Sequence, residues 1–397
     1  MRPSRGFAAG GVALAGALVL VASWTRLAGA ENRFAVRGTY FREASTRVVQ
    51  PMIEAHIDLP KGYDVGARAG IDAISSASIA QGVGTDKVFR EDRYEAGVRA
   101  GKTLFETSHL GSFFRYSTEP DYISYSGGLD LTREVWGRTG TIGIAVARAH
   151  DDIKPVFQRE RTLDVWSFAV GYQQILTPTT VVQVNYELNY LDGFYGNPYI
   201  ATPDLGREDL PEVRIRHALA VRGAQMFPEI GLGLQFFYRF YLDQGAFTSD
   251  DPWGMTAHTI EGRIFKELPE NFEVRLSYRY HWQGNAGFWC NARPDNGGML
   301  GCYGMTPDLH SWDPKFGHLT THLPEVKLTW DLRGLAAVPY LGRLAGGALD
   351  VSYGYFFESA PYGQPFSDKT APPVLGAIVP QRYKGAHIVQ TGYSMTF

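Results

Sequence analysis

The feature that most constrains this fold is a two-residue alternation of apolar and polar side chains, which recurs in segments of about ten residues. The clearest segment runs from 272 to 282, where Leu276 and Tyr278 lie on one face and Arg275 and Arg279 on the other. Successive side chains of a β-strand point to opposite faces of its sheet. The segment is therefore predicted to be a strand with one apolar, aromatic face and one charged face.

The connections between these segments indicate how the strands are arranged. Short turns are predicted at 60–62, 137–140, 228–231 and 269–271, and long polar connections at 192–211, 284–320 and 359–384. No helical pattern is present to cover a sheet, and almost every strand has a charged second face. This pattern predicts an all-β, transmembrane, antiparallel up-and-down barrel of about 16 strands, with 14 or 18 as alternatives, short periplasmic turns and long extracellular loops. The segment 333–347 is the exception, a long connection where a short turn is due, and is predicted to be a short helix or a partly buried plug.

The first thirty residues are predicted to direct export. Arg2 and Arg5 precede an uncharged apolar run at 7–22, and Ala28 and Ala30 form an A-x-A cleavage site. This order is typical of a cleaved signal peptide, with an uncleaved membrane anchor as the alternative. Residues 1–30 are thus predicted to be removed, which leaves 31–397 as a single barrel domain.

The last strand carries an assembly signal. Tyr393, Met395 and the final residue Phe397 fall on one face of the predicted strand. This arrangement resembles the last-strand signature that the barrel assembly machinery of Gram-negative bacteria recognises. The resemblance implies an integral protein of the bacterial outer membrane, with that machinery and outer-membrane lipid as its partners.

Two further segments carry a resemblance to a family. The sequence at 71–78 and that at 90–93 are similar to parts of an uncharacterised family of Gram-negative outer-membrane barrels, a porin-like domain of unknown function. The resemblance implies a barrel and its location, and it brings no catalytic or binding residues.

The polar faces predict an uneven distribution of charge inside the barrel. Strands ten to thirteen contribute seven arginines, which we expect to form a basic wall: Arg214, Arg216, Arg222, Arg239, Arg263, Arg275 and Arg279. Acidic residues of the earlier strands are expected to oppose it: Glu54, Asp58, Asp64, Asp72, Glu95 and Asp130. Such a wall orients polar solutes in a pore. The alternative is that these charges pair across neighbouring strands and only stabilise the barrel wall.

The two cysteines lie in the longest loop. Cys290 and Cys302 are predicted to form a disulfide. The exported chain enters an oxidising compartment, and its only two cysteines lie in the same loop. The alternative is a metal site formed by these thiolates with His310, His318 or His322. The cysteine spacing is not that of a zinc knuckle, so a metal is not expected at this loop. No other cofactor is predicted.

The same residues limit the functions that the sequence supports. The 397-residue chain has a formal net charge of −3, so the basic surface of a nucleic-acid-binding protein is not expected. Neither a nucleophile elbow nor a phosphate-binding loop occurs, so no enzyme is predicted. The predicted function is a channel for passive passage of small hydrophilic solutes, with an anion bias from the arginine wall. The alternative is a closed structural or partner-binding barrel within a larger envelope complex. The solute and the oligomeric state are not determined by the sequence.

Overall fold

The structure is a computed structural model of the chain. It describes residues 32–43, 46–76, 89–155, 159–196, 210–245, 251–289, 309, 311, 316–336, 338, 342–358 and 385–397. The predicted signal peptide lies outside these described residues.

Sixteen antiparallel strands form the described part of the chain, as predicted. They are β1 (Arg33–Glu43), β2 (Thr46–Leu59), β3 (Tyr63–Ser76), β4 (Phe89–Leu104), β5 (Ser108–Glu119), β6 (Tyr122–Val135), β7 (Gly140–Ile153), β8 (Arg161–Thr177), β9 (Thr180–Gly193), β10 (Val213–Phe227), β11 (Leu232–Gln244), β12 (Thr256–Leu268), β13 (Phe272–Gln283), β14 (Leu319–Asp331), β15 (Gly347–Glu358) and β16 (Gly385–Thr396).

The sheet closes on itself. Each strand pairs with its neighbours in the sequence, and β1 pairs with β16, with Arg33 opposite Thr396. Closure satisfies the backbone hydrogen bonds of both edge strands, so no strand edge remains exposed. Because the number of strands is even, the start of β1 and the end of β16 lie at the same end of the barrel.

The two ends of the barrel differ in their connections, as the sequence predicted. At the end that holds the chain termini, tight turns join the strands, including 3₁₀ turns at Pro60–Gly62 and Pro269–Asn271. Lys61 has a φ of 66° and Gly62 a φ of 74°, the left-handed conformation that such a tight reversal needs. The longer connections lie at the opposite end, which also has two short ones, at 44–45 and 120–121. At the segment 333–347, the described residues form two 3₁₀ turns, Leu332–Leu335 and Gly342–Leu344.

The outer surface of the barrel is apolar. Leu276 is 53% exposed and Tyr278 49%, and large apolar side chains are similarly exposed on the neighbouring strands. A continuous apolar surface of this kind is unfavourable in water and is typical of a barrel wall in contact with lipid. Among the described residues, no helix has the length and apolar character needed to cross a bilayer.

Four tyrosine–histidine pairs lie on this outer surface. In each pair the Tyr hydroxyl lies 2.7–2.9 Å from Nδ1 of a His on the next strand: Tyr186–His217, Tyr238–His258, Tyr278–His322 and Tyr353–His387. Each His is the third to fifth residue from the strand end that faces away from the termini. Amphipathic aromatic rings are typical at the level of lipid head groups, so the pairs mark the edge of the apolar band.

Candidate functional site

The inward face of β10–β13 is identified by a cavity that crosses the barrel. Tyr122 of β6 and His281 of β13 both line it, although these strands lie on nearly opposite sides of the sixteen-strand ring. Residues on opposite walls can line the same cavity only if their side chains point into the barrel. The residues that alternate with the exposed outer side chains therefore face the lumen. All seven predicted arginines of the basic wall are on this inward face.

Three of the seven arginines form ion pairs. Arg214 binds Asp243, Arg263 binds Glu261, and Arg275 binds Glu325 of β14. These pairs match the alternative prediction, in which charges on neighbouring strands compensate one another. The two partners of each pair lie on the same strand or on adjacent strands, because only neighbouring side chains of the wall are close enough to pair.

The other four arginines have no carboxylate partner among the residues that the structure describes. They are Arg216, Arg222, Arg239 and Arg279. Arg222 and Arg239 lie over aromatic rings of β11, 5.6 Å from the centre of Phe237 and 5.4 Å from that of Tyr241. Aromatic contacts leave the positive charge uncompensated, so this part of the wall carries a net positive charge.

The opposing acidic residues are on the charged face of β2–β6, and most of them are paired. Asp58 lies 3.2 Å from His56, Asp64 lies 2.6 Å from His109, and Asp130 lies 3.1 Å from Arg99. Glu95 contacts both Arg68 and Arg115, and Asp72 lies 3.9 Å from Arg93. Glu54 alone of the six has no ion-pair partner in the described part of the chain. Three of the six acidic residues are therefore compensated by arginines, and two more contact a histidine.

Three long connections meet at the end of the barrel away from the termini. Trp253 and Phe288 are fully buried, and Ala286 and Phe316 pack with them into one apolar cluster. The Trp253 ring lies edge-on to Tyr195, with the ring centres 5.4 Å apart. We call these five residues the aromatic cap. These residues belong to the connections 194–212, 245–255 and 284–318. The described parts of the three connections come together because aromatic side chains are more stable when packed against one another than when exposed to water.

Polar contacts within the connection 245–255 position Trp253. The Asp251 carboxylate accepts hydrogen bonds from the backbone N–H groups of Gly245 and Trp253, at 2.7 and 2.9 Å. The indole N–H of Trp253 donates to the backbone carbonyl of Val213, at 2.9 Å. The cap is therefore joined to the first residue of β10, at the end of the barrel away from the termini.

The cavity lies beneath this cap and has a volume of about 490 Å³. Arg214, Arg216 and Arg239 line it together with Tyr195 and Tyr241. Apolar side chains complete its walls: Ile153, Leu163, Phe194, Met255, Ala257 and Phe316. Burial raises the pKa of the Tyr195 hydroxyl, so this group remains a hydrogen-bond donor.

The sequence did not predict this cavity or the cap. The aromatic residues Phe194, Tyr195 and Trp253 stand out in loops that are otherwise polar. That signal predicts packing at the barrel rim, but it does not indicate that three loops meet over the basic wall.

The remaining predictions concern the two cysteines, the histidines of the alternative metal site and the last strand. Cys290, Cys302 and His310 lie outside the described residues, so the disulfide and its metal alternative stay predictions. The rings of His318 and Trp282 are 5.7 Å apart, and His322 contacts Tyr278. Tyr393 and Met395 lie on β16, and the backbone N–H of Phe397 donates to Asn32 at 3.0 Å.

One group of acidic residues has the spacing to hold a cation. The ligand atoms of Glu91, Glu119 and Asp121 lie within 4.8 Å of one another, the one such group found among the described residues. Oxygen ligands of this kind suit hard cations such as Ca²⁺.

Comparisons with known proteins agree with the fold. Residues 157–341 match the family described as "Protein of unknown function (DUF3570)". The predicted resemblance to an uncharacterised barrel family is thereby confirmed, although the match lies C-terminal to the segments from which it was predicted. All seven arginines of the basic wall fall within the matched residues. A search of curated protein sequences found no match.

Solved structures share the barrel at low identity. CdiB from Acinetobacter baumannii is 10% identical with a TM-score of 0.50, and the alignment covers 92% of this chain and 60% of CdiB, so the chain spans less than two thirds of CdiB. A bacterial polysaccharide outer membrane secretin is 10% identical with a TM-score of 0.48, over 92% of this chain and 98% of the secretin. Pseudomonas aeruginosa OccK2 in complex with glucuronate is 8% identical with a TM-score of 0.45, over 94% and 100% of the two chains. At 10% identity the likeness to CdiB shows the fold alone, that of an outer-membrane β-barrel.

Proposed function

We propose that this protein is a passive channel of the bacterial outer membrane that favours small anionic solutes. Residues 1–30 would direct its export as a cleaved signal peptide. The observation that supports this function best is the set of four lumen arginines without a carboxylate partner among the described residues, Arg216, Arg222, Arg239 and Arg279. They lie on β10, β11 and β13, whereas three of the six opposing acidic residues are paired with arginines of their own side.

Fixed charges on the wall of a pore affect which solutes enter it. A narrow aqueous lumen within a low-dielectric wall focuses the field of fixed charges, which raises the local concentration of solutes of opposite sign. Clustered uncompensated arginines therefore favour anions, and the apolar exterior keeps the barrel in the membrane.

Reversal potentials in planar bilayers test this proposal. Arg222 and Arg279 are suitable positions, because both border one small recess of the wall and neither lines the capped cavity. Replacing both by Gln is expected to move the reversal potential towards cation selectivity. The shift should be largest at low salt, since the Debye length falls from about 30 Å at 0.01 M to about 3 Å at 1 M.

A matched control is available outside the lumen. Arg138 lies in the tight turn after β6, where its side chain is 61% exposed. Arg138→Gln removes one positive charge without touching the wall, so selectivity should stay at the wild-type value. If the double variant keeps wild-type selectivity as well, the arginines only stabilise the wall and the proposed anion preference is wrong.

A closed structural barrel is the second candidate function, and the aromatic cap is the observation that favours it. A fully buried Trp253 packed against Phe288, with ring centres 4.9 Å apart, can obstruct the lumen at one end. The bilayer measurement separates the two candidates. A closed barrel should show no conductance as wild type and should conduct after Trp253→Ala, whereas a channel conducts in both forms.

A further inference from the structure

We propose that the capped cavity binds a small organic anion, composed of an oxyanion head held by Arg216 and Arg239 and an apolar ring held by the aromatic wall. This inference rests on the proposed function, because it names the class of solute that the channel holds on its way through. The head is a carboxylate or a phosphate, which share the same donor requirements.

The cavity exists because small residues surround two long ones. On β11, Arg239 and Tyr241 face inward, and in register they lie beside Ala220 and Ala218 of β10. On the other side they lie beside Thr259 and Ala257 of β12. The short alanine and threonine side chains leave space on the lumen side of the wall. Arg239 and Tyr241 border that space.

The charge of the cavity calls for an anion. Arg214 is compensated by Asp243, but Arg216 and Arg239 have no carboxylate partner in the described chain. Among the described residues that line the cavity, none is acidic. A ligand that brings its own negative charge is therefore favoured, and a cation is repelled.

Unused hydrogen-bond donors point in the same direction. Nε of Arg216 and the hydroxyl of Tyr195 are both buried without a partner in the described structure. Leaving buried donors without acceptors is unfavourable, so a bound oxyanion that accepts from them recovers that free energy. A guanidinium group offers several N–H donors in one plane, which suits the oxygens of a carboxylate or a phosphate.

The remaining walls favour an apolar body on that anion. Phe316 and Met255 are each 4% exposed, Ile153 is 3% exposed, and all three border the cavity. The volume of about 490 Å³ lies within the range of about 300–1,000 Å³ that is usual for small-molecule sites. An inorganic ion would leave these apolar walls unfilled, whereas a six-membered ring contacts them.

Isothermal titration calorimetry on the full-length mature protein in detergent micelles tests the inference. The probes are benzoate and phenyl phosphate, with benzyl alcohol and inorganic phosphate as controls that lack the charge or the ring. We expect benzoate or phenyl phosphate, or both, to bind, and each control to bind at least tenfold more weakly. If neither ring-bearing anion binds, or if benzyl alcohol binds equally well, the inference is overturned.

Two kinds of variant assign the binding to this cavity. Arg216→Gln and Arg239→Gln should each weaken binding of the ring-bearing anion at least tenfold, and Arg138→Gln should leave it unchanged. Ala257→Leu fills the space without removing a charge, and it should weaken binding as well. Each variant is first checked for a folded barrel by its gel mobility without heating, and Ala257→Leu keeps the test informative if an arginine variant does not fold. Wild-type binding in all folded variants would overturn the assignment.

Binding and conductance separate this inference from the proposed function. If the protein conducts anions selectively but binds neither benzoate nor phenyl phosphate, the inference is overturned and the channel proposal stands. Binding without any conductance contradicts the channel and identifies a closed barrel that holds an anion beneath its cap.

Discussion

Arg214 and Asp243 form a buried ion pair on the neighbouring strands β10 and β11, with Arg214 Nε 2.9 Å from both carboxylate oxygens. The Asp243 carboxylate is fully buried, and the Arg214 guanidinium lies 4.2 Å from the centre of the Trp253 ring. The pair therefore joins the basic wall to the aromatic cap. Arg214 was predicted to be part of the selective wall, and its charge is compensated by Asp243.

Asp243→Asn is expected to destabilise the barrel by about 3–5 kcal/mol, because it leaves the Arg214 charge buried and uncompensated. Asp130→Asn is the matched control. Asp130 pairs with Arg99, whose side chain is 49% exposed, and losing an exposed pair costs about 0–1 kcal/mol. Urea unfolding of the refolded proteins in detergent measures both changes, and equal losses would show that burial of the Arg214–Asp243 pair has no energetic consequence.

Heating is expected to change the mobility of the protein in a denaturing gel. Every strand is paired on both sides, including β1 with β16, so no edge is available from which cold detergent can unravel the sheet. Unheated, refolded protein should migrate as a compact species and boiled protein as an extended one. Identical migration of the two samples would contradict closure of the barrel.

Leu276→Lys is expected to impair assembly, whereas Ser277→Lys should be tolerated. Leu276 is 53% exposed on the outer surface, and a Lys there near the bilayer midplane costs about 2–4 kcal/mol. Ser277 is the next residue on β13 and faces the lumen, where an added charge remains hydrated. The folded fraction of each variant in outer membranes, read from the unheated gel mobility, checks the prediction. The reverse result would mean that the inward and outward faces are exchanged.

Cys290 and Cys302 are expected to be oxidised to a disulfide in the mature protein, and reduction should leave the barrel folded. Both residues lie between β13 and β14, so the bond closes one connection and adds no constraint to the strands. Alkylation of native membranes during lysis, followed by mass spectrometry, reads the state of the thiols. Recovery of both as free thiols would contradict the disulfide, and loss of the heat-sensitive gel shift on reduction would contradict its local role.

The sequence by itself determined the barrel and the orientation of its faces. Alternation with a period of two is a local property of the chain, so the outward Leu276 and inward Arg275 follow from their spacing alone. The turns follow from local chemistry as well, as at Pro269–Asn271. The strand number then follows, since each alternating segment between turns forms one strand.

Only the tertiary structure decided which of the inward charges are compensated. Arg214 and Arg216 are indistinguishable in the sequence pattern, yet Arg214 binds Asp243 and Arg216 has no carboxylate partner among the described residues. The difference depends on strand register and on the reach of each side chain, which bring together residues that are far apart in the chain. The aromatic cap and the cavity have the same origin. Three connections separated by tens of residues meet over one part of the wall, because closure of the barrel brings their ends together and burial of Trp253 favours their contact.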